Sequence, residues 1–165
     1  MNILLTDRPL TISLPEGWDM VDLSQQTIAP CLGCFGCWTK TPGRCVLRDD
    51  AVTIYPRIAK SSRVLYVSAV VFGGYDVPMK TMLERAIPIQ KPYIRLLDGE
   101  THHPQRDVAP KEADIVAYGA DTQEERDLFR RLVERNAKNM NFTAVRVHFT
   151  TADRLDETVE EVLAQ

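Results

Sequence analysis

Cys31, Cys34, Cys37 and Cys45 are all the cysteines of the chain, and they follow one another as C-x2-C-x2-C-x7-C. A 4Fe–4S cluster is held by four thiolates around a small cube. A looping backbone that steps by three residues turns successive thiols toward one centre. Gly33 and Gly36 lie between the first three cysteines and are free to take positive φ. Small residues there also let backbone N–H groups approach the cluster sulfurs. Pro42-Gly43 is a turn signal that brings Cys45 back. Structural zinc competes, but zinc prefers two C-x2-C pairs parted by a longer spacer. Disulfides or free thiols are the remaining reading.

Other chemistry-bearing residues read more plainly. His102-His103 lies in a proline-flanked loop and is read as solvated. His148 alternates with Val145 and Val147 on a strand and is expected to face outward. Lys80 and Arg85 are read as surface charges able to steer an anionic cofactor. Trp18 and Trp38 are packing residues, with Trp38 placed to shield a cluster from water. There is no Ser-His-Asp set, nucleotide P-loop or paired-carboxylate arrangement.

The elements that must position these residues alternate. Apolar and β-branched runs predict strands at Asn2–Thr6, Trp18–Leu23, Arg63–Phe72, Asp114–Gly119 and Phe142–Phe149. Helices are expected over Asp49–Ser61, with a kink or early stop at Pro56, and over Val77–Ile87. Thr122–Asn139 has Thr122 as N-cap, Glu125 at the capping-box position, and an apolar stripe of Leu128, Phe129, Leu132 and Val133. Asp153–Ala164 turns Leu155, Val159, Val162 and Leu163 inward. Such alternation builds a parallel sheet with helices on both faces. Pro88–Pro110 shows no period and reads as an excursion loop.

At 165 residues the chain fits a single domain over 1–165. A net charge of −3, with 44% apolar and 26% charged residues, carries no basic footprint for nucleic acid. No run reaches the roughly 18–20 apolar residues of a membrane span. The N-terminal run is cut by Asp7 and Arg8, so no secretory signal is expected, and the protein is placed in a reducing cytoplasm.

The sequence resembles the flavodoxin-like NAD(P)H-dependent FMN reductases, on the iron–sulfur flavoprotein branch. The specific segment is Ile28–Trp38, continued by Lys40–Cys45 and Asp49-Asp50. Ser68–Gly74 with Met79-Lys80 and Glu84-Arg85, Gly119-Ala120-Asp121, and Asn136–Asn139 add weaker support. The resemblance implies an α/β three-layer sandwich with a five-stranded parallel sheet in the order 2-1-3-4-5 and FMN at the carboxyl ends of the strands. It implies flavin contacts at Ser68, Ala69, Val70, Phe72, Gly73, Gly74 and Asp121, and a cluster on the four cysteines. Ser68-Ala69 stands where the family usually has Thr-Pro.

The larger departure is at the N-terminus. The family's phosphate loop and first crossover helix are absent, because Thr6–Gly17 holds Pro9 and Pro15 and reads as an extended link. The phosphate site is therefore missing or rebuilt, with Arg8 as a stand-in. One sheet face should also lose its cover and expose apolar surface, which marks an interface. Two functions follow. One is an oxidoreductase or electron carrier with FMN and a 4Fe–4S cluster, working with a small electron donor or acceptor. The other is an FMN-free partner subunit in a homo-oligomer or in a complex with a flavoprotein relative.

Overall fold

The computed structural model describes all 165 residues. The strands are β1 (Asn2–Thr6), β2 (Trp18–Asp22), β3 (Arg63–Val71), β4 (Gly74–Tyr75), β5 (Arg95–Leu97), β6 (Glu100–His102), β7 (Lys111–Tyr118) and β8 (Phe142–Thr150). The helices are α1 (Gly36–Thr39), α2 (Ala51–Lys60), α3 (Val77–Glu84), α4 (Gln123–Asn139) and α5 (Leu155–Leu163). The main sheet runs β2-β1-β3-β7-β8, all parallel. In chain order of its parallel strands this is the expected 2-1-3-4-5, and the fold is flavodoxin-like.

β1 shows why the sheet is covered on both sides. Successive strand residues point to opposite faces. Ile3 and Leu5 enter the larger core under α2, α3 and α4, while Leu4 enters the smaller core under α5. All three are fully buried.

No helix connects β1 to β2, as expected, but the consequence differs from expectation. The extended link lays Leu10 and Ile12 onto the smaller core beside Leu155 and Val159. Its backbone is tied to α5 as well: Thr11 N–H donates to Asp156 and Ser13 N–H to Glu160. An alternating strap thus does part of the helix's covering, and that face is not laid bare.

Several local expectations are corrected. Pro56 does not stop α2, which runs on to Lys60 with Ala51, Ile54, Tyr55 and Ile58 buried. The α4 capping box forms between Thr122 and Glu125, but the stripe is split. Phe129 and Val133 are buried, whereas Leu128 is 44% and Leu132 36% exposed, both lining a groove. The excursion after α3 is not structureless. Asp98-Gly99, both at positive φ, turns β5 back onto β6, and an Asp-Gly pair between short extended runs is a hairpin signal. Glu100 pins that hairpin to α4 through Arg135 at 2.7 and 2.8 Å and Lys138 at 3.0 Å.

A candidate redox site

The cysteine loop begins after β2 and closes at the start of α2. Asp49 accepts from Ala29 N–H and Asp50 from Thr27 N–H, so both stalks of the loop are tied together. Gly33 and Gly43 take positive φ. Gly36 does not; Phe35 takes that conformation in its place and caps the single turn of α1. A side chain at position 36 would meet Val46 at 3.2 Å and Cys34 Sγ at 3.6 Å, so Gly36 is there for space.

All four cysteines line one small cavity of about 100 Å3 with Leu32, Phe35, Val46 and Pro88 as apolar walls. Cys31 and Cys34 are exposed, Cys37 and Cys45 half-buried, and none is in a disulfide. No three His, Cys, Asp or Glu side chains are grouped closely enough to hold a metal ion. Burial pushes the Cys37 thiol up, and the neighbouring Cys45 adds to the push.

The side chain that sequence reading placed on the surface is the one that completes this cavity. Arg85 is 1% exposed. It follows α3, and its guanidinium grips Asp49 at 2.6 and 2.9 Å, Ala29 O at 2.6 Å and Cys45 Sγ at 3.5 Å. Arg85 holds the Asp49 carboxyl below its ordinary range. Arg85 Nε is buried with no partner. Lys80, by contrast, is an exposed surface charge paired with Glu84.

A second cavity of about 910 Å3 runs between α3 and α4. It shares Glu84 and Ile87 with the cysteine cavity as a common wall. Trp38 packs near this shared wall: its Nε1–H donates to Ile87 O, and its ring lies 4.7 Å from that of His103, tilted by 51°, with His103 lining the groove. His103 therefore has a defined place, and His102 is held between Asn139 and Glu100 at 3.0 Å each. His148 is not free either; it contacts the buried Asp114 at 2.9 Å.

The expected flavin loop separates into two groups. Phe72 and Gly73 both have positive φ and join β3 to β4 in a tight turn of the type I′ pattern. Phe72, Gly73 and Gly74 line the groove, and Phe72 is 96% exposed. Ser68, Ala69 and Val70 do not line it. The Ser68 hydroxyl accepts Asp76 N–H at 3.1 Å, and Val70 pairs with Tyr75. Asp121 is exposed, and its N–H turns to Glu125. Ala69 N–H instead donates at 2.6 Å to Asp7, which sequence reading passed over. Asp7 also accepts from Tyr118 O–H at 2.9 Å, and the Arg8 guanidinium lies over the Tyr118 ring. Burial pushes the Asp7 carboxyl up.

The chain has relatives in sequence and in fold. An iron–sulfur flavoprotein of Methanocaldococcus jannaschii is 28% identical over 89 residues, 53% of this chain and 45% of that protein. An iron–sulfur flavoprotein of Methanosarcina thermophila is 26% identical over 73 residues, 44% of this chain and 37% of the relative. These matches thus span less than half the length of either relative. An FMN-dependent NADH-azoreductase from Bacillus anthracis, solved with FMN, superposes with a TM-score of 0.60 at 8% identity, over 99% of this chain and 97% of the other. No family model matches the chain. In sequence the chain is similar to the iron–sulfur flavoproteins, and in fold to the flavodoxin-like FMN reductases. No helix is long and apolar enough to cross a membrane.

Proposed function

We propose that this chain is a flavin-linked redox protein, of the NAD(P)H:FMN oxidoreductase or electron-transfer type, that holds a 4Fe–4S cluster on Cys31, Cys34, Cys37 and Cys45. The observation that carries this reading is the shared wall. Four thiols line one apolar cavity, and its Glu84–Ile87 side is also the side of a groove large enough for a tricyclic ring.

The donor set suits a cluster in its chemistry, four thiols on one cavity, although no three of them are drawn together in this arrangement. The missing side chain at Gly36 keeps room beside Cys34. The four thiolates would bring negative charge, and the buried Arg85 supplies a cation and an unused N–H at the same cavity. Cys37 and Cys45 are half-buried, which would limit water at those two sulfurs, a lever on cluster potential. Flavin is suited at the groove, with Phe72, Gly73 and Gly74 at its mouth. The relatives' names and the azoreductase's bound FMN point to the same cofactor class. A flavin accepts a hydride's two electrons from NAD(P)H, and a cluster accepts electrons singly, so the pair converts between the two modes. In that scheme Arg85 and Asp49 hold Cys45 in place, and Trp38 packs near the wall that the two cavities share.

The test is anaerobic purification followed by a visible spectrum with iron, sulfide and zinc assays. The reading expects about four irons per chain and a brown band bleached by dithionite, with resolved flavin peaks after flavin is added. Zinc in place of iron, or no metal after anaerobic reconstitution, overturns the cluster. A second reading is favoured by the Asp7 contacts, which occupy the end of β1: the flavin is brought by a partner, either a second copy or a flavoprotein relative. Iron with no affinity for free flavin selects that reading.

A further inference from the structure

The parallel sheet has its topological switch point between β1 and β3, since the chain leaves β1 for β2 on one side and β3 lies on the other. Open α/β sheets bind ligands in the crevice beyond the strand ends at such a point. An anion there is ordinarily met by backbone N–H groups and a helix N-terminus. In this chain no helix follows β1, and the crevice is filled from within. Asp7 is 6% exposed and takes Ala69 N–H at 2.6 Å and Tyr118 O–H at 2.9 Å. Arg8 is the cation beside it, on the Tyr118 ring at 5.2 Å. Asp76 is a second negative group near enough to act on Asp7. A phosphate arriving here would have to displace one carboxylate and sit near another.

The groove carries the complementary signal. Tyr66 lines it, is 1% exposed, and has a hydroxyl with no partner. A buried hydroxyl left unpaired is unfavourable, so a ligand that satisfies it is favoured. Asn136 offers a carboxamide in the same groove, and Leu83, Leu128 and Leu132 supply apolar walls. A flat heteroaromatic ring with a polar edge has the shape and the donor–acceptor pattern for this lining.

We propose that Asp7 permanently occupies the anion position at the switch point, and that this chain selects a flavin by its ring, with Tyr66 at the polar edge, and not by its phosphate. The proposal rests on the reading that a flavin binds at this chain. It adds that riboflavin and FMN are equivalent ligands.

The experiment titrates the anaerobically purified full chain with riboflavin and with FMN, following quenching of flavin fluorescence. The two dissociation constants are expected to agree within about threefold. Tyr66→Phe should weaken both by about tenfold, leaving their ratio unchanged. Asp7→Asn, checked for folding by circular dichroism, should shift the ratio by about tenfold toward FMN. Wild-type preference for FMN by about a hundredfold overturns the proposal and leaves the flavin reading standing. Absence of binding by either flavin overturns the ring claim together with the reading that this chain holds a flavin. Inorganic phosphate decides the Asp7 claim independently. A thermal midpoint raised by phosphate in Asp7→Asn but not in the wild type supports it, and a midpoint raised in the wild type overturns it. If Asp7→Asn does not fold, the wild-type ratio and the wild-type phosphate response decide.

Discussion

Arg85 grips both carboxylate oxygens of Asp49, at 2.6 and 2.9 Å, from a position with 1% of its side chain exposed. The pair joins the end of α3 to both stalks of the cysteine loop, through Ala29 on one side and Cys45 on the other. Breaking a buried ion pair leaves a charge unpaired and is strongly destabilising. Arg85→Met should cost about 3 kcal/mol in denaturant unfolding. Cys37 and Cys45 should become faster to alkylate in the metal-free protein. Arg85→Lys should restore part of the stability but less of the thiol protection, because an ammonium cannot hold a carboxylate and a sulfur in one fixed fork. Unchanged alkylation rates in Arg85→Met would count against the clamp.

Gly36 separates space from conformation. Its backbone is helical, so alanine there carries no positive-φ penalty, and the added methyl would lie 3.6 Å from Cys34 Sγ and 3.2 Å from Val46. Gly36→Ala should fold with a stability change within about 2 kcal/mol. It should lose iron several-fold after anaerobic reconstitution. Full iron loading in that variant would show that the cavity has room to spare.

Phe72 sits at the first central position of a turn with positive φ, 96% exposed. Both facts oppose stability, since a bulky residue is strained in that conformation. Phe72→Asn supplies the residue such turns prefer and should raise stability by about 0.5–1 kcal/mol. It should also weaken flavin binding several-fold, because the ring at the groove mouth is lost. Paired thermal melts and flavin titrations check this; a gain in stability with no change in titration would make Phe72 a bystander.

Asp114 is 2% exposed and takes bonds from Arg146 at 2.7 and 2.9 Å and from His148 at 2.9 Å. Burial works to raise its carboxyl, but the bonds from His148 and Arg146 outweigh it and hold the group well below the ordinary carboxylate range. The folded state thus binds this proton less readily than the unfolded state. The stabilisation is present above the unfolded value of about 3.9 and is lost as pH falls through it toward the folded value. Asp114→Asn should cost about 3 kcal/mol at neutral pH and flatten the acid limb of the stability curve. Urea melts from neutral pH down into the acid range measure both effects; an acid limb as steep as that of the wild type would assign the loss to other carboxylates.

The alternation of strands and helices, the capped start of α4, the helix-free link after β1 and the grouping of four cysteines can all be read along the chain. Each of these is a local property: a hydrophobic period, a cap at fixed offset, two prolines in twelve residues, thiols three residues apart. Asp98-Gly99 is an equally local hairpin signal, which the reading of Pro88–Pro110 as an excursion loop passed over. It takes the folded chain to show that Arg85 lies under the cysteine loop, that Asp7 reaches Ala69 and Tyr118 at the strand ends, and that Leu10 and Ile12 cover the sheet in place of a helix. Those partners stand from 40 to 111 residues apart for Arg85–Cys45 and Asp7–Tyr118. Charge and hydrophobicity along a chain carry no information about distance across it. A lone arginine or aspartate reads as solvated until packing removes the water and supplies a partner.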